Sequence, residues 1–203
     1  MKRQIVYIHG GHTYSSYELF LRDLATSNVQ EPFDEPQVMW SHALQKSLDG
    51  EYSLCAPIMP NKQNAQYEEW KIWFERHFEF FAEEVSLIGW SLGAVFLTKY
   101  LSENKVPFRV NALFLVSVVA TFEDLGKEGP TSFSPDFDLM GKLEEQVEHI
   151  HLFHSKDDFV VPFSHAEKYY KALPTSVLHV FEDRDHFLQA DFPELIEEIK
   201  GLG

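Results

Sequence analysis

The chain has 203 residues, of which 44% are hydrophobic and 24% are charged, as is typical of one globular domain with a sizeable core. Its 32 Asp and Glu residues outnumber its 17 Lys and Arg residues, which gives a formal net charge of −15 at pH 7. Such a surface repels phosphate backbones and anionic lipids, so the composition argues against nucleic acid and membranes as partners.

Six short apolar runs, rich in Val, Ile, Leu and Phe, are typical of buried parallel β-strands. They cover residues 5–8, 52–56, 85–89, 112–118, 150–154 and 177–181. Segments with helical spacing cover residues 15–26, 37–48, 67–81, 92–101, 164–173 and 192–199. This alternation predicts right-handed crossovers and a three-layer α/β/α sandwich with a mainly parallel, about six-stranded sheet. We expect residues 1–203 to form this single α/β domain.

The N-terminal segment and the cysteine content favour a cytoplasmic protein. The apolar run after Lys2 and Arg3 is too short for the core of a signal peptide, and no run approaches the ~20 residues of a membrane span. Cys55 is the only cysteine, so the chain forms no internal disulfide that would favour secretion. No pattern in the sequence specifies an oligomeric state.

Two connections, residues 27–36 and 120–135, are longer than packed neighbouring elements require. Both begin on the side of the sheet where the strands have their carboxyl ends, and ligands of open α/β sheets bind there. Segments 12–36 and 120–141 are therefore candidate lids. A plain surface excursion is the alternative reading of each.

The sharpest local signal is the pentapeptide Gly89-Trp90-Ser91-Leu92-Gly93, which fits the nucleophile pattern G-x-S-x-G between a strand and a helix. A serine exposed on so sharp a turn adopts strained backbone angles, so the residues two before and two after it must be small. Gly89 and Gly93 meet that requirement. We therefore expect Ser91 to be a catalytic nucleophile.

A serine hydroxyl needs a base, and in this arrangement the acid and then the histidine follow the serine along the chain. Asp157 and Asp158 both follow the apolar run 150–154, and loop spacing before Pro162 favours Asp158 as the acid. Asp157 is then a turn or capping residue. His186 follows the run 177–181 and is the expected base. The short separation of Ser91 and Asp158 leaves no room for a large cap domain.

The oxyanion of an acyl-transfer intermediate needs two N–H donors. We expect the backbone N–H of Leu92, directly after the nucleophile, and that of Gly11 in the loop His9-Gly10-Gly11-His12. A phosphate loop is the alternative for these glycines, but neither G-x-G-x-x-G nor a Walker pattern follows. Candidate residues of the substrate pocket are Trp90, His12, Phe159 and Phe187.

The remaining histidines raise the question of a metal site. His149, His151 and His154 are close in sequence, and imidazoles are ligands of zinc. His154 is out of phase with the other two on a strand, however, and no cysteine is near. We therefore expect no metal. His77 lies on an aromatic stripe and His165 on a helix surface.

Together these motifs resemble the α/β-hydrolase superfamily over essentially the whole chain. The motifs are His9-Gly10, the Ser91 pentapeptide, Asp158 with Pro162, and His186-Phe187. The small size, the Met59-Pro60-Asn61 segment and the loop 155–162 resemble the compact serine hydrolases of the retinoblastoma-binding protein 9 and YdeN-like type. The resemblance implies a Ser-His-Asp triad. Two features depart from it: Asp185 stands where the superfamily usually has glycine, and the region 15–48 is longer than a minimal version requires.

The function expected from these residues is hydrolysis of a small carboxylic ester through an acyl-enzyme, with no cofactor and a small ester-like molecule as partner. Thioester or peptide hydrolysis by the same triad is the nearest alternative. A non-catalytic binding protein on a hydrolase fold is the alternative from another class. A dehalogenase with an aspartate nucleophile is excluded because position 91 is serine.

Overall fold

The computed structural model describes residues 2–29, 31, 33–35, 37–125 and 131–202. Parts of both candidate lids, residues 30, 32, 36 and 126–130, lie outside this set. The strands are β1 (Arg3–Ile8), β2 (Tyr52–Cys55), β3 (Glu84–Trp90), β4 (Arg109–Val116), β5 (Val147–Ser155) and β6 (Val177–Phe181). The helices are α1 (Tyr17–Thr26), α2 (Trp40–Ser47), α3 (Tyr67–Glu75), α4 (Leu92–Glu103), α5 (Met140–Glu144), α6 (Ser164–Ala172) and α7 (Pro193–Gly201).

All six strands pair in parallel in the order β2-β1-β3-β4-β5-β6. The chain therefore reverses its direction of winding between β1 and β3, and a ligand crevice is expected outside their carboxyl ends. This arrangement confirms the predicted α/β fold class. Among the helices of the described residues, none combines the length and apolar character needed to cross a bilayer.

The strands are apolar on both faces because helices cover both faces of the sheet. Ile5 and Tyr7 of β1 point to a cluster that contains α2 and α7, whereas Val6 and Ile8 point to a cluster that contains α3, α4, α5 and α6. This alternation follows from the two-residue period of a strand. Helix α4 is buried along most of its length, and α1 has no buried residue.

The helix predicted over residues 67–81 is shorter in the structure. Helix α3 ends at Glu75, and a 3-10 turn follows at Phe78–Phe80. The N–H of His77 donates to the carbonyl of Phe74 at 3.0 Å, which tightens the chain out of the α-helical path. The aromatic stripe survives the bend, because the rings of Phe74 and Phe78 still pack edge to face at 5.1 Å.

Candidate active site

Ser91 occupies the sharp turn between β3 and α4. Its backbone angles are φ 53° and ψ −119°, a conformation that costs a residue with a side chain about 1–3 kcal/mol. The N–H of Ser91 donates to the carbonyl of Val116 at 2.8 Å, which ties the turn to β4. The strain that the pentapeptide implies is therefore present at the predicted nucleophile.

The two glycines of the pentapeptide stand where no side chain fits. A Cβ on Gly89 would lie 2.5 Å from the Cα of Ala94, and a Cβ on Gly93 would lie 2.2 Å from the carbonyl oxygen of Ile8. Both contacts are with backbone, which does not move aside as a side-chain tip does. Gly93 therefore allows α4 to start directly against β1, and Gly89 allows α4 to start directly against β3.

Asp158 is the aspartate that contacts the histidine. Its Oδ2 lies 2.9 Å from Nδ1 of His186 and 2.9 Å from the hydroxyl of Ser117. Its Oδ1 accepts the backbone N–H groups of Val160 and Val161 at 2.9 and 2.8 Å. The buried carboxylate is thus held by its own loop, by the end of β4 and by the histidine.

Burial alone raises the pKa of Asp158, but the hydrogen bond and charge interaction with His186 and the two backbone N–H donors outweigh it. The pKa of Asp158 therefore lies below its ordinary value, and the carboxylate is ionised at neutral pH. An ionised acceptor favours the His186 tautomer with its proton on Nδ1. That tautomer leaves Nε2 free to accept a proton.

Asp157 contacts the loop before His186 and not the imidazole. Its Oδ1 accepts the backbone N–H of Asp185 at 3.0 Å and the hydroxyl of Ser155. It therefore fixes the backbone directly before His186. These contacts account for a second carboxylate next to Asp158, and none of them is with the imidazole of His186.

Asp185, which stands where the α/β-hydrolase superfamily usually has glycine, has a backbone conformation that favours glycine. Its φ is 47°, in the left-handed region where glycine is the residue without strain. We expect Asp185→Gly to raise the free energy of unfolding by about 0.5–1 kcal/mol, which corresponds to about 1–4 °C in Tm. The N–H that binds Asp157 is kept, so the loop retains its anchor. Urea unfolding measures the effect.

Asp183→Gly is the matched control, because this aspartate lies in the same loop but outside the left-handed region. There the added freedom of the unfolded chain is the main effect, and stability should fall by up to about 1 kcal/mol. Equal stability changes in the two variants would contradict the role assigned to the positive φ of Asp185.

A cavity of about 700 Å³ lies over the carboxyl ends of the strands. Ser91 and His186 both line it, as do the predicted oxyanion donors Leu92 and Gly11. The rest of its wall is mainly apolar and comes from the end of β3 and from the segments that follow β1, β2, β4 and β5. These residues are Gly10, His12, Thr13, Lys62, Gln63, Trp90, Val119, Phe122, Leu125, Phe159, Val160 and Val161. Among the hydrogen bonds of the described residues, none engages the backbone N–H of Leu92 or Gly11.

Three of the four predicted pocket residues, Trp90, His12 and Phe159, line this cavity, and the fourth does not. The prediction for Phe187 was wrong: its side chain is fully buried and packs 4.9 Å from the ring of Phe192. The chain turns at Phe187 with φ 56°, so this side chain points away from the cavity into the core between α2 and α7.

Sequence reasoning missed Ser117 and Lys62. Ser117 directly follows β4 with φ 48° and donates to Asp158. Its signal was its position, since polar residues after buried strands collect at the carboxyl edge of the sheet. Lys62 brings a cation to the cavity wall, and its carbonyl oxygen accepts the N–H of His12 at 2.8 Å. Its loop gave no comparable signal.

The histidines expected near one another on β5 separate onto two faces. His149 and His151 lie on one face, while His154 lies on the other and donates from Nε2 to the carbonyl of Val161 at 2.8 Å. Burial lowers the pKa of His154, whose Nε2 is 3.8 Å from Oδ2 of Asp158. The trio His149, His151 and His154 therefore does not converge on one metal position.

His165 was predicted on a helix surface, and this was wrong. Its side chain is 2% exposed, and its Nδ1 accepts the backbone N–H of Ala120 at 3.0 Å. Its Nε2 lies 3.3 Å from Oδ2 of Asp124. His165, the second residue of α6, thus faces the segment that follows β4 and anchors that segment through the bond to Ala120.

Comparison with known proteins agrees with the geometry. A sequence model of a family described as serine hydrolase matches residues 34–192, which is more than half of the chain. The serine hydrolase RBBP9 of Rattus norvegicus is 29% identical over 154 residues, which span 74% of this chain and 78% of that protein. These matches confirm the resemblance drawn from the motifs.

Solved structures share the fold. The ydeN gene product from B. subtilis superposes with a TM-score of 0.69 at 18% identity, covering 99% of this chain and 98% of that chain. A structure reported with carboxylesterases of the thaumarchaeon Nitrososphaera gargenis superposes with a TM-score of 0.65 at 12% identity, covering 98% and 89%. By the family match the chain belongs to the serine hydrolase family, and these superpositions show its α/β-hydrolase fold.

Proposed function

We propose that this protein hydrolyses small carboxylic esters through an acyl-enzyme intermediate, with Ser91 as nucleophile, His186 as base and Asp158 as the acid that orients the base. The observation that carries the proposal is the 2.9 Å bond between His186 Nδ1 and Asp158 Oδ2 beside a cavity that Ser91 and His186 both line. A strained serine on the turn supports it.

In the first half of the proposed cycle, Nε2 of His186 takes the proton of the Ser91 hydroxyl as Oγ attacks the ester carbonyl carbon. The carbonyl oxygen becomes an oxyanion, and the backbone N–H groups of Leu92 and Gly11 donate to it. The C–O bond to the alcohol then breaks, and His186 returns the proton to the leaving alkoxide. The acyl group remains on Ser91.

In the second half, His186 takes a proton from water, whose oxygen attacks the acyl carbon. The tetrahedral species collapses, the bond to Ser91 breaks, and Oγ regains a proton from His186. Asp158 stays ionised throughout and stabilises the imidazolium. The cycle draws only on these side chains, two backbone N–H groups and water.

The cavity supports a small apolar acyl or alcohol group rather than an extended polymer. Its volume of about 700 Å³ falls within the range of sites for small molecules. Phe122, Leu125 and Phe159 give the wall its apolar character. The structural neighbour associated with carboxylesterases adds support for ester chemistry by analogy of fold.

The two lid segments remain part of the proposal. His12 and Thr13 begin the first segment and line the cavity, and Phe122 and Leu125 of the second do so too. Helix α1, within the first segment, exposes Tyr17 and other apolar side chains and buries none. Such a helix forms few contacts that would oppose its movement over a bound substrate.

A fluorophosphonate probe tests the proposal, because it phosphonylates a serine only when a base activates it. Wild-type protein should be labelled on the peptide that contains Ser91, and Ser91→Ala protein should not be labelled. Ser102→Ala is the matched control: this serine lies at the far end of α4, where its hydroxyl donates to the carbonyl of Lys99, and it should label as wild type.

Equal, weak labelling of the wild-type and Ser91→Ala proteins would favour the non-catalytic binding protein instead. If labelling is specific, a series of p-nitrophenyl esters of increasing acyl length, run beside the matching thioesters, then measures the preferred acyl length and bond.

A further inference from the structure

A second cluster of reactive side chains lies away from the cavity, on the face of the sheet that α7 covers. It consists of His151 on β5, His179 on β6 and Glu198 on α7. One donor atom from each lies within 4.8 Å of the donor atoms of the other two. Within the described part of the chain, a search for three His, Cys, Asp or Glu side chains with donor atoms this close to one another finds this group.

We propose that His151, His179 and Glu198 bind a divalent transition-metal cation, with Zn²⁺ as the reference ion. The donor set is two imidazoles and one carboxylate, which are ligands that Zn²⁺ and its first-row neighbours accept. Three protein ligands leave a fourth position for water.

The sheet register brings the two histidines together. Phe153 pairs with His179 and His151 with Val177, so both histidines lie on one face, two positions apart along neighbouring strands. Glu198 is on the last helix, beside the buried Ile199 that packs that helix onto the same face. The cluster therefore joins three elements that are distant in the chain.

The distances are close to those of a ligand shell. His151 Nδ1 lies 3.0 Å from His179 Nε2 and 3.5 Å from Glu198 Oε2. Donor atoms about 2.0–2.2 Å from a tetrahedral Zn²⁺ lie roughly 3.3–3.6 Å from one another. The two nitrogens now share one proton in a hydrogen bond. When a cation binds between them, the imidazole that carries this proton takes it on its other ring nitrogen instead.

The imidazoles are held in place by neighbouring aromatic rings. Phe153 stacks on His179 with the ring centres 4.4 Å apart, and Phe114 lies 5.1 Å from His151. Packing against these rings fixes both imidazoles on the face of the sheet that α7 covers.

Such a cation would fasten the edge strand β6 and the C-terminal helix α7 to β5. The segment that carries His186 runs from β6 to α7, so the bound ion would secure both ends of that loop. The charge of Glu198 and the net charge of −15 both favour a cation at this face. The site is separate from the triad, and it does not rest on the proposed esterase activity.

Calorimetric titration of chelator-treated protein with Zn²⁺ tests the proposal. Wild type should bind one Zn²⁺, and Glu198→Gln and His179→Gln should each weaken binding at least about tenfold. At a hundredfold excess of free Zn²⁺ over Kd, the Tm of wild type should rise by about 5–10 °C. Co²⁺ in place of Zn²⁺ should give visible d–d absorption, which Glu198→Gln protein should lose.

His77→Ala is the matched control, since this half-exposed histidine lies after α3 on the opposite face of the sheet and should leave Zn²⁺ affinity unchanged. Circular dichroism of the metal-free variants checks their fold, and the two ligand variants report independently if one of them misfolds. Absence of binding in wild type, equal affinity in wild type and Glu198→Gln, or an equal loss in His77→Ala would each overturn the proposal.

Discussion

Asp158→Asn should lower kcat for an ester substrate by about 10⁴-fold. The amide keeps the size of the carboxylate but loses its charge. Its NH₂ group takes the place of Oδ2, the oxygen that faces Nδ1 of His186, and an NH₂ group cannot accept the Nδ1 proton. The imidazole then favours the tautomer with its proton on Nε2, which cannot take the proton of Ser91. Steady-state kinetics with a p-nitrophenyl ester measures the loss.

Asp157→Asn is the matched control for this prediction. The oxygen Oδ1 that accepts the N–H of Asp185 and the hydroxyl of Ser155 is retained in the amide, so the loop before His186 keeps its anchor. We expect kcat to fall by less than about tenfold, which is the most that even the loss of one neutral hydrogen bond would cause. A larger loss in Asp157→Asn than in Asp158→Asn would show that the acid is assigned wrongly.

Asp158→Asn should also change the stability of the fold in a pH-dependent way. The pKa of Asp158 is below its ordinary value of 3.8 in the folded protein, so its charge stabilises the fold. That contribution is fully present above pH 3.8 and is lost as the pH falls through the lower folded value. The difference in unfolding free energy between wild type and Asp158→Asn should therefore be larger at pH 7 than at pH 3.

The features that sequence predicted best are those encoded by local pattern. The apolar runs of the six strands and the glycines around Ser91 report burial and steric demand at single positions, and both are visible without knowing the fold. The choice between Asp157 and Asp158 depended on loop spacing alone. The structure separates them by contact, since Asp158 reaches the imidazole and Asp157 reaches the backbone before it.

The features that sequence missed depend on where a loop turns its side chains. Phe187 follows His186 directly, and only the positive φ at that position sends its ring into the core. Ser117 has its role because the ends of β4 and β5 are neighbours, and the order of strands is not a local property. The cluster of His151 and His179 likewise requires the register of two strands, whereas periodicity compares residues only within one.

Among Gly→Ala substitutions at the described glycines, Gly93→Ala should be the most disruptive, lowering the free energy of unfolding by about 3 kcal/mol or more. The new Cβ would lie 2.2 Å from the carbonyl oxygen of Ile8 and 2.6 Å from that of His9, so the start of α4 must move away from β1. Urea unfolding measures the cost. A stability equal to that of wild type would mean that the turn relaxes freely.

Gly141→Ala is the matched control, because this glycine is also helical but has no atom within 4 Å of the position of a Cβ. It should gain up to about 1 kcal/mol from the better helix propensity of alanine. If Gly93→Ala lowers the free energy of unfolding and Gly141→Ala raises it, the loss in Gly93→Ala is due to steric overlap and not to helix propensity.

Gly93→Ala should also lower activity, because the new Cβ on α4 collides with the backbone at the end of β1. Leu92 lies on α4 and Gly11 on the loop after β1, so moving these two segments apart separates the N–H groups proposed to hold the oxyanion. Loss of one such donor lowers kcat by about 10²–10³-fold. If kcat in the folded fraction stays at the wild-type value, the oxyanion donors lie elsewhere, even though the triad assignment would stand.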